Sequence, residues 1–178
     1  WTTSQGINSV AIGSSAGQTS QSIQAVAIGV SAGTTSQGIN SVAVGGLCGS
    51  SNQNNSAVAI GYRAGQTSQS LYGVSVGLDA GNATQGQDAI AIGRTSGQTT
   101  QGAESIAIGY LSGNTTQGSQ SIAIGRSSGT TSQGTFAVAI GYGTGATSQG
   151  SNSVAVGVSS GATTQGAGSV AIGQASGQ

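Results

Sequence analysis

Glycine stands at positions 13, 29, 45, 61, 77, 93, 109, 125, 141, 157 and 173, one every 16 residues along a 178-residue chain. A second glycine follows each of these four residues later, from Gly17 to Gly177. A glutamine column keeps the same step, from Gln5 and Gln21 to Gln165. Val or Ile stands three residues before every first glycine, and Ile or Val one residue before it. A short tandem period without a slip constrains the fold more than any other feature of this chain. Each copy faces the same structural problem, and a unit this small buries its side chains only by stacking on the next one.

The segment Ser9-Val10-Ala11-Ile12 alternates branched and small residues, the period-2 signature of a short strand. The glycine pairs punctuate it as bends. The polar stretch Gly-x-Thr-Ser/Thr-Gln that follows is long enough for a second short strand. Two strands and two bends in 16 residues describe one coil of a solenoid. The pattern therefore predicts an all-β fold: a β-solenoid or parallel β-roll of eleven 16-residue coils with two short strands per coil. It forms a single repeat domain over residues 1–178 without separate caps. Coils stacked at about 4.8 Å give a rod about 50 Å long. Disorder is the alternative for a chain rich in Gly, Ser, Thr and Gln, but a disordered chain has no reason to keep the Val/Ile columns.

Each column then receives a role. Val10, Ile12, Val26, Ile28, Ile106, Ile108, Ile122 and Ile124 are expected to form inward aliphatic ladders, each fully buried side chain contributing roughly 1.5–3 kcal/mol. The other face of that strand carries only small residues such as Ser9, Ala11, Ala25 and Ala27, which suggests a surface packed closely against it. In the second strand, Thr19, Thr35, Thr67, Thr99, Thr115, Thr131, Thr147 and Thr163 form a column that lapses only at Ser51 and Ala83. Thr and Gln are placed inward because neither column varies much, with the glutamines bonding one another along the axis. The opposite parity leaves Thr on an outer face.

Six residues are charged, three arginines and three acids. Three arginines are too few to neutralise a row of phosphates, which argues against nucleic acid as a partner. Without histidine, and with one cysteine and scattered acids, neither a metal or haem site nor a Ser-His-Asp set is expected, so no cofactor and no enzyme activity are assigned. No apolar run approaches the length of a membrane-inserting helix. Cys48 lies in a column filled elsewhere by Ala16, Ala32 and Ala64, so a small buried hydrophobe outweighs a reactive thiol. Tyr62, Arg94, Tyr110, Arg126 and Tyr142 each follow the first glycine of their copies and define one stripe, a surface for a host receptor or glycan if it is more than a solvated corner. Asp88 and Glu104 occupy neighbouring rungs of another corner. Asn54, Asn82 and Asn114 head Asn-x-Ser/Thr sequons and are candidate N-glycosylation positions.

The stretches Ser9–Gly13, Ser41–Gly45, Ser105–Gly109, Ser153–Gly157 and Ser169–Gly173 resemble the Ser-Val-Ala-Ile-Gly head repeat of YadA-type trimeric autotransporter adhesins, a motif also found in fibres of phages and large DNA viruses. The resemblance implies a left-handed parallel β-roll, side-by-side trimerisation and attachment to a surface. The repeat here is slightly longer than the family's usual one, and no coiled-coil stalk, neck or anchor accompanies it. Neither Trp1 nor Gln178 belongs to a charged or proline-bearing cap, which suggests a window on a longer fibre or ends that stack on other molecules.

The function expected is a non-catalytic structural protein: an extracellular, cell-surface or virion-surface fibre, adhesin stalk or self-assembling filament whose partner is itself. An ice-binding solenoid with a flat Thr/Ser/Ala face is the alternative from another class, and a curli-like functional amyloid is a further one.

Overall fold

A computed structural model describes residues 4–177. Two parallel sheets run its length. One has eleven strands, from Val10–Ile12 to Val170–Ile172, and the other ten, from Thr19–Gln21 to Thr164–Gln165. Every strand pairs with the one 16 residues away, as Val10↔Val26, Ala11↔Ala27 and Ile12↔Ile28 in the first sheet and Gln85↔Gln101 in the second. The chain is thus a parallel β-solenoid of ten complete coils, followed by the first strand of an eleventh, with no helix among the described residues. The expectations for Trp1 and Gln178 lie outside those residues.

Two tight turns close each coil. In one, Ser9 N–H donates to the Gly6 carbonyl at 3.3 Å; in the other, Ala16 N–H donates to the Gly13 carbonyl at 3.3 Å. The third residue of each turn adopts a left-handed backbone, with φ 59° at Asn8 and 57° at Ser15. That conformation costs an L residue roughly 1–2 kcal/mol, yet nearly every coil places one in each turn. The offset comes from the stack: the N–H of Gln24, the next such residue, donates to the Ile7 carbonyl one coil away at 2.9 Å, and Ser31 does the same to Ser14 at 2.8 Å. Gly13 cannot be anything else. Its φ is +124°, and a Cβ there would stand 2.6 Å from the Gly29 carbonyl oxygen.

The interior reverses the expected inside and outside of the first strand. Ala27, Ala43, Ala59, Ala91, Ala107 and Ala123 are fully buried, whereas Val26, Ile28, Ile106, Ile108, Ile122 and Ile124 are only half-buried and Val10 and Ile12 are exposed. The physical reason is thinness. A Cβ on Gly97, on the opposing wall, would sit 3.3 Å from the Ala91 Cβ. The coil therefore holds a methyl group and little more, and branched chains must point out. The surface expected to lie against the small residues is the other wall of the same coil.

The second strand is corrected in part. Gln21, Gln37, Gln69, Gln85, Gln117 and their equivalents are buried, as expected, but Thr19, Thr35, Thr67, Thr99, Thr115, Thr131, Thr147 and Thr163 are exposed. Strict alternation does not reach them: in Thr19–Gln21 and Thr35–Gln37 the middle residue has a left-handed backbone, φ 60° at Ser20 and 54° at Ser36, and from Ser68–Gln69 onward the strand is two residues long with the Thr in the bend before it. Nor do the glutamines chiefly bond one another. Each crosses the coil: Gln21 Nε2 donates to the Val10 carbonyl at 2.8 Å, Gln37 to Val26 at 2.7 Å and Gln117 to Ile106 at 2.7 Å. Axial amide pairs occur at Gln53–Gln69 and Gln133–Gln149, both 3.1 Å. The glutamine is a strut tying the two sheets together, and this bonding stabilises a polar group that would otherwise be costly to bury.

Candidate functional site

The coil has two outer faces of opposite chemistry. The first sheet presents Val and Ile columns, and the columns of Asn8 and Ser14 stand in the turns that border its strands on either side. Of seventeen exposed large hydrophobic side chains, fourteen belong to these four columns, and Ile7, Ile23 and Ile39 are the rest. The apolar surface is therefore one contiguous stripe, far from the scattered exposure of an ordinary monomer. The second sheet presents adjoining rows of hydroxyls, with Thr99, Thr100, Thr115, Thr116, Thr131 and Ser132 all exposed.

Charge is just as segregated. Arg63 and Asp79 pair within the chain: Nε lies 2.7 Å from Oδ1, and Nη2 donates to Oδ2 at 2.8 Å. This hydrogen bond and the adjacent negative charge raise the Arg63 pKa further. Asn82 Nδ2 braces the same corner by donating to the Arg63 carbonyl at 2.9 Å. Arg94 and Arg126 both lie in the column of Ser14, while Asp88 and Glu104 both lie in the column of Asn8.

The Tyr/Arg stripe assembles from Arg94 to Tyr142. The Arg94 guanidinium carbon stands 4.2 Å from the Tyr110 ring centre, and Arg126 stands 5.7 Å from Tyr110 and 5.5 Å from Tyr142. Contacts of this kind contribute about 0.5–1 kcal/mol at exposed sites. Tyr62 is set apart from this run and meets Arg63 at 5.3 Å. Cys48 is buried, its Sγ donating to the Gly45 carbonyl at 3.1 Å, and burial pushes the thiol up to about 12. The sequon asparagines differ: Asn54 is exposed, while Asn114 Nδ2 donates to the Thr95 carbonyl at 2.9 Å and Asn82 Nδ2 is held at Arg63. Sequence reasoning missed the bare aliphatic face, although the uniform smallness of the Ala column was its signal.

Among the described residues no pocket forms, no group of three or more His, Cys, Asp or Glu side chains gathers, and no helix is long and apolar enough to cross a membrane. What the arrangement offers is surface: an aliphatic strip with charged and aromatic margins, and a hydroxyl strip behind it. A family model described as YadA head domain repeat (2 copies) matches residues 2–16, 85–112, 101–128, 117–144, 133–160 and 148–176. No curated protein and no solved structure matches the chain.

Proposed function

The chain belongs to the YadA head domain repeat family, and from that premise we propose that it is the non-catalytic shaft of a surface fibre or adhesin whose copies stand side by side. The coils would run parallel with their Val/Ile faces turned to a common axis, as a trimer, the arrangement the family resemblance implies. The observation that carries this reading is the contiguous aliphatic face, on which Ile60, Ile92 and Ile140 remain exposed in the single chain. Burying such columns gains about 25 cal/mol per Å² of apolar area, and the parallel assembly places every copy's face in the same environment. The hydroxyl face then forms the outside of the rod, on an extracellular, cell-surface or virion-surface fibre. Negative-stain images test it. Rods several coils thick support the reading, and particles of one-coil cross-section at micromolar concentration contradict it.

A second reading is favoured by the outward Thr rows. Thr99, Thr115, Thr131, Thr147 and Thr163 repeat along a flat sheet beside Thr100, Thr116, Ser132, Ser148 and Thr164, a regular hydroxyl array of the sort that can order water into an ice-like layer. Thermal hysteresis and crystal shaping decide it: a freezing-point gap favours ice binding, and its absence removes the idea.

A further inference from the structure

We infer that the two columns flanking the aliphatic face form a rung-matched seam between neighbouring copies, and that this seam fixes parallel orientation and axial register. The inference rests on the side-by-side reading above. Its occupant is a second copy of this chain, and its argument is charge complementarity. Once Arg63 and Asp79 have paired within the chain, two arginines and two acids remain. Both arginines, Arg94 and Arg126, lie on one margin of the aliphatic face; both acids, Asp88 and Glu104, lie on the other.

Symmetry decides what such margins meet. A rotation about an axis parallel to the solenoid brings the Asn8 column of one copy against the Ser14 column of the next. Closure permits no axial slip, so each rung meets its own number. An antiparallel two-fold across the same face brings each margin against itself, acid to acid and arginine to arginine, which is unfavourable. In the parallel case Asp88 and Arg94, which flank the strand Ile90–Ile92, meet across the seam. Glu104 meets the rung of Tyr110, whose ring already stacks under Arg94 and Arg126. Two apolar pairs also match: Phe136, 56% exposed, faces Tyr142, 53% exposed, and Tyr72, 54% exposed, faces Leu78, 43% exposed. Within the single chain Asp88 and Glu104 accept only from the neutral amides of Gln87 and Gln120, at 3.0 and 2.9 Å, and Arg94 and Arg126 meet tyrosine rings; the seam adds the opposite charge that each lacks. The Tyr/Arg stack holds one margin rigid before the neighbour arrives, which reduces the ordering cost of association.

The test uses the full chain with Cys48→Ala, the residue that Ala16, Ala32, Ala64 and Ala80 already place in that column. Asp88→Cys combined with Arg94→Cys should, on mild oxidation, give disulfide-linked ladders up to the full copy number on a non-reducing gel. Asp88→Cys with Arg126→Cys, two rungs out of register, should give less than about a tenth as much. Separately, Asp88→Arg or Arg94→Asp should weaken assembly at least about tenfold by sedimentation, and the double reversal should restore it. If the wild-type chain assembles but the matched cysteines do not link and the double reversal restores nothing, the seam is wrong while the side-by-side reading stands. A chain that stays monomeric at every concentration overturns both.

Discussion

Replacing Ala107 with Val adds two methyl groups to a side chain that is fully buried in the coil. The opposing wall is at Gly113, where even a Cβ would lie 3.1 Å from the Ala107 Cβ. No neighbour can withdraw without breaking the axial hydrogen bonds that hold both walls. Overpacking of this kind costs about 1–3 kcal/mol where the core can adjust, and the upper end is expected here. Ile106→Ala is the counterpart. Were Ile106 a core residue, its truncation would cost about 2–5 kcal/mol. It is half-buried and outward, so the loss within one chain is near the transfer value of the methylenes still covered, roughly 1 kcal/mol. Urea unfolding followed by circular dichroism at two protein concentrations separates the cases. Ala107→Val should lower the midpoint equally at both, and Ile106→Ala chiefly at the higher, where association contributes. If Ile106→Ala in dilute solution costs more than Ala107→Val, the assignment of inside and outside is wrong.

Three further outcomes follow from the same geometry. Gln101 Oε1 is buried without a hydrogen-bond partner, whereas Gln85 Oε1 accepts from Ser75 Oγ at 2.8 Å. Ala91→Ser should therefore supply the missing donor and raise stability by about 1 kcal/mol in a urea titration. Gly109 has φ +127° and would bring a Cβ within 2.6 Å of the Gly125 carbonyl oxygen; Gly109→Ala should cost about 3 kcal/mol or more, read as a lost or broadened melting transition. The Cys48 thiol is raised by burial from 9.0 to about 12, so between those values the folded chain keeps a proton that the unfolded chain releases. Stability from this group is full below pH 9.0, falls as pH rises through that window, and is insensitive to pH there in Cys48→Ala, as alkaline melting curves should show.

Much of the fold was legible in the sequence because a period of 16 leaves one way to stack: the pairing of Val10 with Val26 and Gln85 with Gln101 is the repeat itself. Cys48 was legible for the same reason, as its column is otherwise filled by small residues. Inside and outside were harder to read. An alternating strand such as Val-Ala-Ile looks the same whichever parity is buried, and hydrophobicity favours the branched side. What decides is the width of the coil, set by the opposing Gly97 and Ala32 columns and visible only once the two walls are seen to touch. The Thr column misled for a different reason: the left-handed backbone of Ser20 breaks alternation within Thr19–Gln21, and the two-residue strand Ser68–Gln69 is too short for it to reach Thr67. The stacking of Arg94 on Tyr110 could be read from spacing. The proposed meeting of Asp88 with Arg94 could not, since it belongs to no single chain.

Sedimentation equilibrium of the wild-type chain beside an Ile106→Asp, Ile108→Asp variant distinguishes a face buried between copies from one left bare, because both substitutions lie on the outward aliphatic face and neither enters the coil. The wild-type particle should hold several copies, and the variant should be monomeric yet retain its β circular dichroism. A monomeric wild type, or a variant that assembles as tightly as the wild type, would contradict burial of that face between copies.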